Sequence, residues 1–150
     1  MLSEDTRLEL EKQKYRIVGS HSTVKVCGWT KKKIKREGSC YKEFFYGIQS
    51  EQCMQMSTSL SCANRCEFCW RGYKAPVSTE WKGEVGDPEA ILEGCERAHH
   101  ALLIGLKGFE GADKDIYRRS NKVKHVALSL TGEPIAYPKI NDFIDLCHRK

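Results

Sequence analysis

The first residues form a polar, amphipathic stretch. Ser3 followed by Glu4 and Asp5 has the form of a helix start, and the run to Lys14 predicts a leader helix. From Tyr15 to Val26 the apolar positions Ile17, Val18, Val24 and Val26, broken by Gly19 and Ser20, predict short extended pieces. Cys27-Gly28-Trp29 then leads into a basic helix over Thr30 to Glu37, which Gly38 is expected to end as a C-terminal cap. Cys40-Tyr41-Lys42 and the aromatic run Phe44, Phe45, Tyr46 follow. Gln52 to Leu60 alternates, with Met54, Met56, Thr58 and Leu60 on one face and Gln55, Ser57 and Ser59 on the other. That pattern predicts a strand running directly into a cysteine-rich loop.

Past that loop, Tyr73 to Gly86 carries Pro76, Gly83 and Gly86 and reads as irregular. Asp87-Pro88-Glu89 combines an Asp cap, proline at the first helical position and an acid in the first turn, so a helix should run to about Lys107. Its apolar face carries Ile91, Cys95, Ala98, Leu102 and Leu106, which makes Cys95 a core residue. Gly108, Gly111 and the charged residues from Asp113 to Arg119 read as an insertion-like connection. Val126, Leu128 and Leu130 alternate as a buried strand that ends in Thr131-Gly132-Glu133-Pro134. A last helix after Pro138 places Ile140, Phe143, Ile144 and Cys147 at helical spacing. The order strand, helix, strand, helix predicts an α/β fold of parallel βα units. Two such units do not close a sheet or barrel. The expected division is an N-terminal extension over residues 1–52 and the start of a βα core over 53–150, the first part of a longer protein and incomplete for activity by itself.

Charge changes this picture at one place. The net charge of +5 is unevenly spread: between Lys12 and Glu43 stand ten Lys or Arg (Lys12, Lys14, Arg16, Lys25, Lys31, Lys32, Lys33, Lys35, Arg36, Lys42) against Glu37 and Glu43. Such a block suits a polyphosphate partner or, more blandly, a solvated helix face. Met1 to Lys14 lacks the apolar run of a signal peptide and no stretch approaches membrane-spanning length, so a cytoplasmic protein without a membrane partner is expected. In such a reducing compartment the eight cysteines point to metal ligation or catalysis in preference to disulfides.

Three of those cysteines, Cys62, Cys66 and Cys69, form a Cys-x3-Cys-x2-Cys loop within Ser61 to Arg71, and no fourth thiolate or histidine follows closely. Three soft ligands leave one iron of a cubane cluster open to a small molecule, whereas a structural zinc site closes with four. Cys27, Cys40 and Cys53 stand thirteen residues apart and match no zinc-knuckle spacing. As a second triplet they supply a second cluster, or one or two of them are small buried apolar residues. In βα folds ligands sit beyond the carboxyl ends of the strands. The Cys62 loop and the Gly132-Glu133-Pro134 turn should therefore face one pocket, with Gly132 allowing close backbone approach and Pro134 fixing the turn.

The cysteine loop with Phe68 just before its last cysteine, and the Gly-Glu turn after the next strand, resemble the radical S-adenosylmethionine superfamily. Within it, Val26-Cys27-Gly28-Trp29, Cys40-Tyr41-Lys42, Phe45-Tyr46-Gly47-Ile48, Cys66-Glu67-Phe68-Cys69-Trp70-Arg71 and Lys124-His125-Val126-Ala127 are similar to the archaeal-type tRNA 4-demethylwyosine synthases of the wybutosine pathway. The resemblance implies the N-terminal portion of a partial (βα) barrel preceded by an extension with a second cluster site. Cys62, Cys66 and Cys69 would hold a [4Fe–4S] cluster that binds S-adenosylmethionine. Gly132, Glu133 and Pro134 would line the methionine-amino site, with Phe68 near adenine and Thr131 where the superfamily often has glycine. Cys27, Cys40 and Cys53 would hold a second [4Fe–4S] cluster where pyruvate binds, and Lys42 would form a Schiff base with that pyruvate. The implied reaction joins pyruvate to N1-methylguanosine beside the tRNA anticodon, a lyase-type step in a monomer fed by an external electron donor. The Lys31 to Arg36 block would hold phosphates of the anticodon loop, and Trp29, Tyr41 or Trp70 could stack on a base. The competing expectations are a zinc-stabilised nucleic-acid-binding module, and a radical enzyme acting on another RNA base or on a peptide.

Overall fold

The computed structural model describes residues 3–69 and 76–150. The leader helix α1 (Glu4–Lys12) is capped by the Ser3 hydroxyl, which accepts from the Thr6 amide at 3.2 Å. Lys14 takes a positive φ of 67°, and the chain turns into β1 (Arg16–Val18). Gly19, at φ 61°, begins the turn to β2 (Ser22–Lys25), which pairs antiparallel with β1. These are the short extended pieces that the apolar spacing predicts.

Next, β2 pairs antiparallel with β3 (Cys53–Ser57), and β3 pairs parallel with β4 (His125–Leu128), giving a four-stranded sheet in the order β1-β2-β3-β4. Among the described strands only the β3–β4 pair is parallel. The sheet runs unbroken across the boundary between residues 52 and 53, because β1 and β2 join the strands that follow.

The rest of the helical frame comprises α2 (Gly28–Ile34), α3 (Tyr41–Tyr46), α4 (Pro88–Lys107), α5 (Lys114–Ser120) and α6 (Ile140–Arg149). The parallel crossover runs through α4, whose Asp87 cap accepts from the amides of Glu89 and Ala90 at 3.1 Å each. Helices α4 and α6 pack on the sheet face that carries Val24, Met54 and Met56, and Ile91, Leu92, Cys95, Tyr137 and Phe143 complete this core. Burying such side chains stabilises the fold by about 1.5–3 kcal/mol each. Cys95 is fully buried and its thiol is pushed up to about 12, while Cys147 packs on the edge of the same core. A smaller core of Val26, Ile34 and Leu103 joins α2 to α4, with Ile116 and Tyr117 of α5 against it.

Several expectations change. The basic helix ends at Lys35, and the left-handed residue after it is Arg36 (φ 56°), held by an ion pair to Asp113; Gly38 lies further on. Residues 108–119 are not a plain connection, since Asp113 Oδ1 caps α5 by accepting from the amides of Asp115 and Ile116 at 2.8 Å each. The aromatic run is helical, as α3. The strand predicted over Gln52–Leu60 is confined to Cys53–Ser57, although Thr58, Ser59 and Leu60 remain buried. Finally, β4 is only half-buried because it forms the edge of the sheet.

Candidate functional site

Alternation along β3 decides where the chemistry sits. Met54 and Met56 enter the core, so Cys53 and Gln55 face the other side of the sheet, which α4 and α6 leave open. A cleft lies over that open face. Its floor is Cys53, Gln55, Ala127 and Ser129, and its walls are Cys27, Trp29, Thr30, Cys40, Lys42, Ile48 and Ser50. The structure thus brings Cys27, Cys40, Cys53 and Lys42 into one place, although they are spread over 27 positions of the chain. Gln55 stiffens the floor by donating from Nε2 to Ser129 Oγ and to the Ser129 carbonyl, at 3.0 and 3.3 Å.

A polar network holds the three cysteine segments together. Cys27 and Cys40 each occupy the N-cap position of a short helix, α2 and α3 respectively. The Cys40 amide donates to Ser50 Oγ at 3.0 Å, and Ser50 donates from Oγ to Glu43 Oε2 at 2.7 Å and from its amide to the same oxygen at 3.2 Å. Lys33 of α2 donates to Glu43 Oε1 at 2.5 Å and to Ser39 at 3.0 Å. Thr30 donates to the Ser50 carbonyl at 2.8 Å and lies 3.4 Å from that of Cys53. Partial burial alone would push the Glu43 carboxyl up, yet hydrogen bonds from Lys33 and Ser50 hold it down at about 2. Glu43 therefore ties α2, α3 and the 3-10 turn before β3 into one unit.

Burial pushes the Cys53 thiol up to about 11; Lys42 opposes this, and Cys27 and Cys40 add to it. Among the described residues, however, no three His, Cys, Asp or Glu side chains are gathered closely enough to hold a single metal ion. Three soft thiols, with no fourth thiol or histidine among the residues that line the cleft, are a donor set that fits a [4Fe–4S] group with one iron left over.

The second set lies beyond the carboxyl end of β3. Cys62 and Cys69 are half-buried and Cys66 is exposed, on a loop whose Cys69 amide donates to the Cys66 carbonyl at 3.0 Å. Cys62 Sγ reaches the Asn64 carbonyl at 3.6 Å, and Phe68 projects outward with 87% of its surface exposed. Trp70 and Arg71, and the start of the irregular stretch at Tyr73, fall outside the described residues. The donor set itself, three soft sulfurs on one accessible loop, fits a [4Fe–4S] group with one iron left over.

The root of this loop is bound to the Gly132 turn, and the close approach that Gly132 allows is to this chain's own backbone. A Cβ on Gly132 would stand 2.0 Å from the Ser59 carbonyl oxygen and 2.7 Å from Leu60 Cα, and Gly132 has φ 84°. The Glu133 amide donates to the Ser61 carbonyl at 2.8 Å, and Thr58 Oγ1 donates to the Pro134 carbonyl at 3.0 Å. Pro134 and Thr131 are buried and Glu133 is half-buried.

Sequence reasoning missed His21, which braces this junction. Its Nε2 accepts from the Gly86 amide at 3.1 Å, so Nδ1 carries the proton and donates to the Thr58 carbonyl at 2.7 Å. The ring stacks on Tyr137 at 5.3 Å and meets Trp81 edge-on at 4.7 Å, while Tyr137 donates to the Gly86 carbonyl at 2.6 Å. Desolvation lowers the His21 pKa, in keeping with a neutral ring. No periodicity announces such a residue. Thr30, Ser50 and Gln55 were equally silent as site residues, though the strand alternation does place Gln55 on the Cys53 face.

No protein-family model matches the chain. It is 50% identical over 141 residues to the S-adenosyl-L-methionine-dependent tRNA 4-demethylwyosine synthase of Schizosaccharomyces pombe, covering 94% of this chain and 20% of that protein. To the Homo sapiens synthase TYW1 it is 46% identical over 149 residues, with 99% and 20% covered, and to the Saccharomyces cerevisiae synthase 44% identical over 152 residues, with 100% and 19% covered. The chain is homologous to one segment of the tRNA 4-demethylwyosine synthases. A solved structure of TYW1 with a lysine-pyruvate adduct bound superposes with a TM-score of 0.84 at 34% identity, covering 99% of this chain and 49% of that one. The crystal structure of archaeal TYW1 gives 0.79 at 31%, with 99% and 50% covered. The chain thus spans about a fifth of the length of these curated relatives, and its mixed α/β sheet is that of the TYW1 structures.

Proposed function

We propose that this segment belongs to a cytoplasmic radical S-adenosylmethionine enzyme that condenses pyruvate with N1-methylguanosine beside the tRNA anticodon, forming the tricyclic base 4-demethylwyosine. The observation that carries the reading is the position of Lys42, which lines the same cleft as Cys27, Cys40 and Cys53. It gains weight from the similar solved structure that contains a lysine-pyruvate adduct.

In this reading Cys62, Cys66 and Cys69 hold one [4Fe–4S] cluster and Cys27, Cys40 and Cys53 a second. Reduced by an external donor, such a cluster would supply the one electron needed to cleave S-adenosylmethionine into methionine and a 5′-deoxyadenosyl radical. The residues of the chain itself do the rest. The Gly132 turn, fixed against Ser59–Ser61, offers its backbone to the methionine end, and Phe68 presents a ring beside adenine. Lys42, which lines the cleft with Gln55 and Ser129, offers a primary amine to the keto carbon of pyruvate and releases water as the Schiff base forms. The basic residues Lys31 to Arg36 hold phosphates of the anticodon loop, whose unpaired bases need no duplex opening.

The test uses full-length, reconstituted protein with S-adenosylmethionine, reductant, pyruvate and N1-methylguanosine tRNA. Wild-type protein should form both 5′-deoxyadenosine and the tricyclic nucleoside, and borohydride should fix labelled pyruvate to it. Lys42→Ala should keep 5′-deoxyadenosine formation and lose both the nucleoside and the trapped label. Trapping that survives in Lys42→Ala would remove Lys42 from the role, and 5′-deoxyadenosine without any nucleoside in the wild type would refute the substrate.

A further inference from the structure

Hydrogen bonds just past the end of β3 close into a ring of five residues. His21 donates from Nδ1 to the Thr58 carbonyl at 2.7 Å, and the Thr58 hydroxyl donates to the Pro134 carbonyl at 3.0 Å. That carbonyl also accepts from the Tyr137 amide at 3.2 Å. The Tyr137 hydroxyl donates to the Gly86 carbonyl at 2.6 Å, and the Gly86 amide returns to His21 Nε2 at 3.1 Å. Thr58 lies one residue past β3, Pro134 follows Gly132 and Glu133, Gly86 precedes the Asp87 cap of α4, and His21 leads into β2. Segments far apart in the chain thus meet at one imidazole.

The circuit needs a flat, rigid group that donates on one side and accepts on the other, which a neutral imidazole does. Packing holds that ring in place: it stacks on Tyr137, meets Trp81 edge-on, and a Cβ on Gly86 would stand 2.9 Å from Nε2. The Gly132 turn touches the root of the Cys62 loop at three points. Gly132 lies against Ser59 and Leu60, and the Glu133 amide donates to Ser61, both of them backbone contacts. The third, Thr58 to Pro134, depends on how the Thr58 residue is turned. His21 grips the carbonyl of that same residue, and without it only the Ser22 hydroxyl, at 3.4 Å, would remain there as a side-chain donor.

We propose that His21 is a positioning residue for S-adenosylmethionine: acting through Thr58, it sets the spacing between the Gly132–Pro134 turn and the root of the Cys62 loop. Those two parts have to hold the methionine end together, so a turn that drifts from the loop loses affinity for the whole molecule. This rests on the reading that assigns the turn and the loop to S-adenosylmethionine. It adds a residue more than thirty positions ahead of the loop, which touches neither the cysteines nor the turn.

The experiment uses full-length protein and two readouts. Without cofactors, amide hydrogen exchange over residues 131–137 should be faster in His21→Leu than in the wild type, and close to wild type in His21→Asn, whose Nδ2 replaces the Nδ1 donor. In anaerobically reconstituted protein, equilibrium dialysis with labelled S-adenosylmethionine should give a Kd raised roughly five- to tenfold in His21→Leu and in Thr58→Val, and within about twofold of wild type in His21→Asn. Because the effect runs through Thr58, His21→Leu should add little in a Thr58→Val background. An unchanged Kd in His21→Leu, or full additivity of the two substitutions, would overturn the proposal. So would Leu and Asn variants whose Kd values rise together in step with a lowered melting temperature, the mark of a purely structural residue. Should His21→Leu fail to fold, wild-type exchange and wild-type Kd in Thr58→Val would overturn it alone. Wild-type protein that carries its iron yet does not bind S-adenosylmethionine would refute the underlying reading, and the role of His21 falls with it.

Discussion

At residue scale, Gly132 carries the tightest steric demand among the described glycines. Any side chain there would enter the backbone of Ser59 and Leu60 from a backbone conformation at φ 84° that L residues rarely adopt. Gly132→Ala should therefore cost on the order of 3 kcal/mol or more, read as a lowered denaturation midpoint with the slope unchanged. His99 makes the opposite kind of demand. It is fully buried with neither ring nitrogen hydrogen-bonded among the described residues, and burial, aided by the adjacent His100, lowers its pKa to about 4 from 6.5. Because the folded value lies below the unfolded one, the unfolded chain binds the proton first. Stability is thus full above about pH 6.5 and falls towards pH 4, by roughly 3 kcal/mol for this group. His99→Leu should flatten that fall in denaturant titrations at stepped pH without destabilising the protein at pH 7.

At the scale of elements, the network around Ser50 is the part that sequence patterns conceal. Ser50→Ala would leave the Cys40 amide without its partner and Glu43 Oε2 with only the backbone amide of residue 50, at a cost of about 1–3 kcal/mol. The same change should weaken iron retention by the Cys27, Cys40, Cys53 set. Iron analysis in a Cys62→Ala/Cys66→Ala/Cys69→Ala background checks this, with loss of iron expected while the melting transition stays cooperative. The long elements were legible: Asp87-Pro88 marks the start of α4, and Met54 and Met56 mark the core face of β3, because capping and alternation are local signals. The short helices were not. Helix α3 spans six residues and depends on the Glu43–Ser50 tie, which links positions seven apart across a turn. Helix α5 is two turns long, too short for an apolar repeat to stand out, although Asp113 does carry its cap. Arg36 in place of Gly38 at the left-handed position follows from a partner, Asp113, 77 residues away.

At the scale of the whole molecule, the two cysteine sets flank one sheet. Cys53 begins β3 and the Cys62 loop follows its end, so roughly 13 Å of strand lies between their roots. On the proposed two-cluster reading, each cysteine set should account for about half of the bound iron. Replacing Cys27, Cys40 and Cys53 by alanine should halve the iron and spare S-adenosylmethionine cleavage. Replacing Cys62, Cys66 and Cys69 should also halve the iron and abolish that cleavage. Colorimetric iron and 5′-deoxyadenosine assays separate the two outcomes. The cysteine positions themselves were readable from spacing and resemblance, while their common face became visible only once β3 was paired between β2 and β4.

The edge position of β4 sets how that face can grow. Pairing with β3 occupies one side of β4, and its other side presents a row of backbone groups with no described strand against it. Ala127, on β4, and Ser129, just past its end, already form the cleft floor next to Cys53 and Gln55. Among the described strands β4 is the margin of that floor, so a strand docked on it would widen the floor beside the Cys27, Cys40, Cys53 wall.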